Sequence, residues 1–282
     1  MDIKALHKCQ LEVLEEVNRI CERHDIKYVL FAGTSLGAVR HNGFIPWDDD
    51  LDITMLRSDY KKFIDIASHE LKDDFFLQTE FSNHWPMFFT KIRINNTTFL
   101  EKYMPKDEKT HQGVYIDIFP CDNLYDNVLL AHLQFFLSKV VIGSSLNSRG
   151  YLTNNIFKKI FIQIVKKIPH EKIHRFVMNE NDNNSKKVHT FFGGASAYKK
   201  SVYPRTWLVE TVMTTFEDNE YPISKYAHEL LSLQYGDYMV LPSVEEKKYK
   251  QHAILVDLEK PYYEYAGWRN DKKIEYFTRS IR

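Results

Sequence analysis

Only three of the 282 residues are cysteine, Cys9, Cys21 and Cys121, an odd number with no CxxC spacing. That excludes a disulfide scaffold and suits a reducing compartment, with the thiols free or buried. An excess of one charge is missing too, since 38 Lys plus Arg balance 38 Asp plus Glu. Without a net field or a lysine-rich arm, nucleic acid is excluded as a partner. The chain also has no uninterrupted apolar run of the roughly 20 residues needed to span a bilayer. Its most apolar window, Val128 to Gly143, is broken by His132, Gln134 and Lys139. That window reads as a buried helix, with contact at a membrane face or with a lipid-linked substrate as the minority reading. The opening MDIKALHKCQLEVLEEV is charged where a signal peptide needs an apolar stretch, which points to the cytoplasm.

What is present argues for globular packing. Hydrophobic residues make up 44% and aromatics 14%, with 19 Phe and 17 Tyr, enough for one large core, and residues 1–282 are read as one domain. Ile3, Leu6, Val13, Leu14, Val17, Ile20 and Cys21 recur at helical spacing, so a helix feeds a short buried strand, Tyr28 to Ala32. Gly33 and Gly37 then frame a glycine turn, and Ala38 to His41 form a short helix stopped by Asn42-Gly43. DLDITM alternates as a half-buried strand does, and SDYKKFIDIASHEL reads as a helix with Ser58 as its N-cap. FFTKIRI and VYIDIF, Val114 to Phe119, supply further strands.

From about 124 to 190 the pattern changes to apolar-basic helices such as NIFKKIFIQIVKKI, Asn155 to Ile168, taken as a helical insertion. A packed amphipathic helix is the blander account of that stretch, and contact with a bilayer through its Lys-flanked face the sharper one. NENDNNSKK, Asn179 to Lys187, marks an exposed loop, and strands, a hairpin and a helix follow it. The expected class is α+β, a mixed sheet with flanking helices.

The chemistry concentrates in WDDDLDI, Trp47 to Ile53. On a strand, residues two apart share a face, so Asp50 and Asp52 project together while Leu51 and Ile53 enter the core. Two carboxylates so placed repel each other unless a cation lies between them. Hard oxygen donors of this kind suit Mg²⁺ or Mn²⁺. A solvated acidic turn is the ordinary fate of a charge run, but this one sits in a half-buried strand behind FIPW. An EF-hand is excluded, because its sixth and twelfth loop positions, counted from Asp48, hold Ile53 and Asp59. Asp117, between Ile116 and Ile118, is a third acid in an apolar strand and needs a partner, for which the same metal site is the natural choice. Upstream, Gly33, Thr34, Ser35 and Gly37 offer backbone amides and hydroxyls that could cradle a phosphate. A phosphate-cradling turn, an acid-hydrophobic-acid strand and a later single acid are the parts for metal-assisted phosphoryl-type transfer. Their order resembles the nucleotidyltransferase superfamily that includes DNA polymerase beta.

At full length, FAGTSLGAVRHNGFIPWDDDLDITM resembles the signature of the LicD family, bacterial phosphocholine transferases similar to fukutin and fukutin-related protein. QGVYIDIFPCD, Gln112 to Asp122, resembles that family's second block, and FEDNEYPI with YGDYMVLP its C-terminal block. Ser35 and Cys121 depart from the residues usual there, and neither touches the three acids. The resemblance implies a nucleotidyltransferase-like fold acting on a CDP-alcohol, usually CDP-choline. The phosphoalcohol would pass to a sugar hydroxyl of a teichoic acid, lipopolysaccharide or capsule, free or lipid-linked, with release of CMP. It implies that Asp50, Asp52 and Asp117 hold one or two Mg²⁺ or Mn²⁺ ions.

Asp117 is the expected general base. Lys91 and Arg93 share a strand face and could meet the diphosphate, or could be ordinary edge-strand charges; Arg40 and His41 stand likewise. Trp47, Tyr115 and Phe119 could face a quaternary ammonium. His252 falls where the family block tends to carry a basic residue, a surface histidine being its plain reading. Two other functions compete: transfer of NMP from an NTP to a small acceptor, and a non-catalytic sugar- or lipid-binding module.

Overall fold

The computed structural model describes residues 2–82, 84–101, 109–148, 155–165, 168, 171–180, 185–192, 197–243 and 251–265. Helix α1, Ile3–Arg23, is capped by Asp2, whose carboxylate accepts the Lys4 and Ala5 amides at 3.1 and 3.2 Å. Its expected stripe is buried, with Leu6, Val13, Leu14, Val17 and Ile20 fully enclosed. Strand β1, Val29–Leu30, leads into α2, Ala32–His41, then β2, Asp52–Leu56, and α3, Arg57–Glu70. Strands β3, Phe75–Gln78, β4, Thr90–Ile94, and β5, Thr98–Glu101, precede the long β6, Tyr115–Asn123. Helices α4, Val128–Ser148, α5, Ile156–Val165, and α6, Glu171–Met178, occupy the apolar-basic stretch. The chain continues through β7, Lys187–His189, β8, Val202–Pro204, α7, Thr206–Val209, the hairpin β9, Thr211–Phe216, with β10, Asn219–Ser224, helix α8, Ala227–Tyr235, and β11, Ala253–Asp257.

Among the described residues the main sheet has seven strands in the order β1-β2-β6-β4-β3, with β7 and β8 joined to the far end of β6. It is mixed: β2 and β6 run parallel, and β6 is antiparallel to β4 and β7. One face of the sheet is apolar. Leu51, Ile53, Ile92, Ile116 and Ile118 pack there with residues of α1 and α3, each 0% exposed. Burying five such side chains contributes on the order of 10 kcal/mol. The other face of the same strands is left for polar side chains.

Four local expectations are corrected. The glycine turn is helix: α2 starts at Ala32, whose φ of 45° turns the chain sharply off β1, and ends as expected on left-handed Asn42 at φ 54°. Gly37 stays in that helix because the Gly43 carbonyl and Ile45 amide press on it, where a Cβ would collide. Gly37→Ala is therefore expected to lower stability by roughly 1–3 kcal/mol in urea unfolding. Ser58 is not a cap; α3 starts one residue earlier behind Leu56 and has no side-chain cap. β2 is buried on both faces, not one, because the polar face is enclosed as well. Lys91 and Arg93 are not edge charges, since β4 lies between β3 and β6. The loop expected over Asn179 to Lys187 falls in part, at 181–184, outside the described residues.

Away from the polar face, His189 on β7 is fully buried and stacks on Phe191 at 3.9 Å between ring centres. Its Nε2 donates to the Val177 carbonyl at 3.0 Å and its Nδ1 accepts the Phe191 amide at 3.3 Å, so only the neutral ring fits. Burial holds its pKa down, to about 4 from 6.5. A depressed histidine leaves stability untouched above the unfolded pKa and lowers it as pH falls, by about 1.4 kcal/mol per unit. The stability gap between the wild type and His189→Gln is thus expected to narrow between about pH 7 and about pH 5, read as urea midpoints.

Candidate active site

The parallel register of β2 and β6 sets Asp52 opposite Asp117, and the antiparallel register of β6 and β4 sets Lys91 on the other side of Asp117. Neighbouring strands are about 4.8 Å apart, so three charged residues form a row across the polar face. Lys91 Nζ lies 2.7 Å from Asp117 Oδ1, 3.8 Å from Glu101 Oε1 and 3.1 Å from the centre of the Tyr115 ring. Asp50 comes from the loop just before β2, and its carboxylate acts electrostatically on both Asp52 and Asp117. The three acids chosen from sequence thus meet at one end of two adjacent strands.

Burial and mutual repulsion mark the cluster. Asp52 is held well above the usual carboxylate range, first by burial and then by Asp50, Asp117 and Asp48. Asp117 is raised to about 6 by burial, against the pull of Lys91. Asp48, whose carboxyl hydrogen-bonds Asp50, is raised to about 8 by burial and then by Asp50 and Asp49. Asp50 is also raised by burial, with His252 opposing.

Asp49 behaves differently from its neighbours. It turns fully inward, and its carboxylate accepts the backbone amides of His252 and Ala253, each at 2.8 Å. Gln10 of α1 holds the Asp49 carbonyl at 2.9 Å. This clasp carries the start of β11 to the site and sets His252 Nδ1 3.2 Å from both Asp49 Oδ1 and Asp50 Oδ2. His252 is raised to about 10, chiefly by its hydrogen bond to Asp49. Half its side chain is exposed, yet it works as a counter-charge to the acids.

Ligand atoms of Asp49, Asp50 and His252 lie within 4.8 Å of one another, close enough to hold a cation. Asp49 is the weakest donor of that trio, because both its oxygens already take backbone hydrogen bonds. The carboxylates of Asp48, Asp50, Asp52 and Asp117, crowded and short of positive charge, fit a hard divalent ion better.

Beside the acids opens a cleft of about 650 Å³ whose walls include Ala32 and Gly33 at the start of α2, Arg40, Trp47, Tyr235 and Tyr238. Asp48, Asp50, Asp52 and His252 line its floor. At Gly33 a Cβ would sit 2.9 Å from Asp48 Oδ2, so a larger residue there would displace that carboxylate. Thr34 Oγ1 accepts the Asp52 amide at 2.7 Å, fastening α2 to β2. The Thr34 and Ser35 amides go to the Phe31 carbonyl, so Ala32 and Gly33 are what α2 presents to an anion. The Ser35 hydroxyl is buried with no hydrogen bond among the described residues. Arg40 donates to the Tyr238 carbonyl at 2.7 Å and to His41 Nε2 at 3.0 Å.

Not every expected residue reaches the cleft. Arg93 lies behind the acids, donating to Gln78 at 2.7 Å and the Gly113 carbonyl at 2.8 Å and facing Glu101 at 3.6 Å. Tyr115 lies under Lys91, and Phe119 packs on Phe89 with centres 4.8 Å apart. Trp47 is the expected aromatic that lines the cleft. Sequence reasoning missed Asp48, Asp49, Tyr235 and Tyr238. The first two were visible in the acidic run and the last two in YGDYMVLP.

Known proteins resemble this chain in the region of the acids. Residues 25–129, which hold Asp50, Asp52 and Asp117, match the family described as LicD/FKTN/FKRP, nucleotidyltransferase domain. Residues 25–129 thus resemble that family's nucleotidyltransferase domain. The chain is 26% identical over 254 residues to the lipopolysaccharide cholinephosphotransferase LicD of Haemophilus influenzae, covering 84% of this chain and 91% of that protein. An uncharacterized protein of Rickettsia prowazekii is 30% identical over 141 residues, half of this chain and 48% of its own length.

Proposed function

We propose that the protein moves phosphocholine from CDP-choline to a sugar hydroxyl of a cell-surface glycan, releasing CMP. The observation that carries this reading is the Asp52-Asp117 register beside Asp50, with Asp50 and Asp52 lining a cleft that has aromatic walls. The similarity to a lipopolysaccharide cholinephosphotransferase over most of both chains supports the substrate class. The whole chain is taken as one nucleotidyltransferase-like domain in which α4 to α6 are an insertion. Its free cysteines fit a cytoplasmic, reducing setting.

Asp50, Asp52 and Asp117 would hold Mg²⁺ or Mn²⁺, which when bound neutralises charge on the diphosphate. The start of α2 and Arg40 orient the diphosphate from the opposite wall. Trp47, Tyr235 and Tyr238 give the donor's quaternary ammonium aromatic surface. The acceptor oxygen bonds to the phosphorus bearing choline, the bond from that phosphorus to CMP breaks, and Asp117 takes the acceptor proton. Its pKa of about 6 suits that role, and Lys91 fixes its orientation.

The test is incubation with Mg²⁺ and, in turn, CDP-choline, CDP-glycerol, CDP-ribitol, CTP and ATP. Release of CMP from CDP-choline is expected. Consumption of CDP-glycerol or CDP-ribitol alone would move the reading to another alcohol, and pyrophosphate from a triphosphate would replace it with NMP transfer.

A further inference from the structure

Outside the cleft, two helices expose apolar surface that no described residue covers. The inner face of α4 is held by the domain: Gln134 is fully buried and donates to the Asn123 carbonyl at 2.8 Å and to the Val177 carbonyl at 2.5 Å. α4 is long and apolar enough to cross a membrane, but that pinned polar face keeps it attached to the protein. Its outer face presents Leu129 and Phe136, 81% and 61% exposed.

α5 packs on α4 where Phe161 and Val165 meet Gly143, and it buries Ile162 and Val165. The rest of α5 faces out, with Phe157 81%, Ile164 61% and Ile160 52% exposed. At 100° per residue these side chains, with Ile156 and Phe161, cover an arc of roughly 140°, bordered by Lys158 and Lys159. Between residues 126 and 175 the sequence has eight Lys or Arg against two Asp or Glu, in a chain that is balanced overall. Exposed Lys158, Lys159, Lys172 and Arg175 belong to that surplus.

We propose that α4 and α5 form a docking face for the surface of an anionic lipid bilayer, with α5 lying in the interface plane. A broad apolar arc edged by lysines on a charge-rich module is the form such helices take. A second copy of the chain is the poorer occupant, because a symmetric contact would press two basic patches together. The proposal stands apart from the transfer chemistry and needs no donor for its test.

The full chain is to be floated with vesicles of phosphatidylcholine alone and with vesicles carrying about one-third phosphatidylglycerol. Binding is expected to the anionic vesicles and to weaken with added salt. Phe157→Ser with Ile160→Ser and Ile164→Ser should lower the bound fraction about tenfold or more with little change in melting temperature, since these side chains lie more than half exposed on the outer face of α5. Lys158→Ser with Lys159→Ser should weaken binding to the anionic vesicles without the hydrophobic changes. Flotation on neither vesicle, or equal flotation of both variants and the wild type, overturns the proposal. So does a dimer in gel filtration that the serine variant dissolves while vesicles stay unbound.

Discussion

Asp117→Asn and Asp52→Asn each lower transfer by roughly 10³-fold, while melting in chelator stays level or rises. The activity loss follows from their place in the acidic cluster, where Asp52 lines the cleft and Asp117 is its register neighbour on β6; one carboxylate is the proposed base and both are proposed cation ligands. The stability gain follows from repulsion. Asp52 is buried among Asp50, Asp117 and Asp48 and is pushed far up in pKa, so a neutral amide of the same shape removes an unfavourable charge. Asp117→Asn also removes a partner of Lys91, which keeps Glu101 at 3.8 Å, so a smaller change in melting is expected there. Differential scanning fluorimetry beside the CMP-release assay separates the two effects. A variant that loses stability and activity together would make these acids structural, and one with near-normal turnover would remove them from the site.

Arg57→Met lowers stability by roughly 3–5 kcal/mol, enough to threaten folding of a domain with a typical margin of 5–15 kcal/mol. Arg57 is 3% exposed; its Nε lies 2.6 Å from Asp122 Oδ1 and its second amine donates to Oδ2 at 3.1 Å. A further amine meets Glu80 Oε1 at 2.6 Å, tying the start of α3 to the end of β6 and the segment after β3. Removing the guanidinium strands two carboxylates, of which Asp122 is almost fully enclosed. The double variant Arg57→Met with Asp122→Asn should recover part of the loss, because one stranded charge goes with it. Urea unfolding of the wild type, single and double variants reads the coupling. A single-variant loss under about 1 kcal/mol would mean that water reaches these groups.

Part of this organisation was legible because it depends on short-range pattern. The alternation in DLDITM and VYIDIF put Leu51, Ile53, Ile116 and Ile118 in the core and so obliged Asp52 and Asp117 to share the opposite face. Asn42 stopped α2 where a left-handed residue is expected. The start of α2 was misread because glycines usually break helices, and here Gly37 is required by the Gly43 backbone that presses on it, while Gly33 lies against the Asp48 carboxylate. Arg57, one residue ahead of the expected cap, is fixed by Asp122 and Glu80, partners no local window contains. Asp49 was illegible as a clasp because its ligands are amides 203 and 204 residues further on.

That last distance bears on how the protein comes into being. The acidic run leaves the ribosome early, whereas the segment that brings His252 to Asp50 follows 203 residues after Asp49. Until then the carboxylates have Lys91 but not His252 as a protein counter-charge. A nascent chain that has emerged only as far as Asp117 therefore has every acid of the cluster without His252.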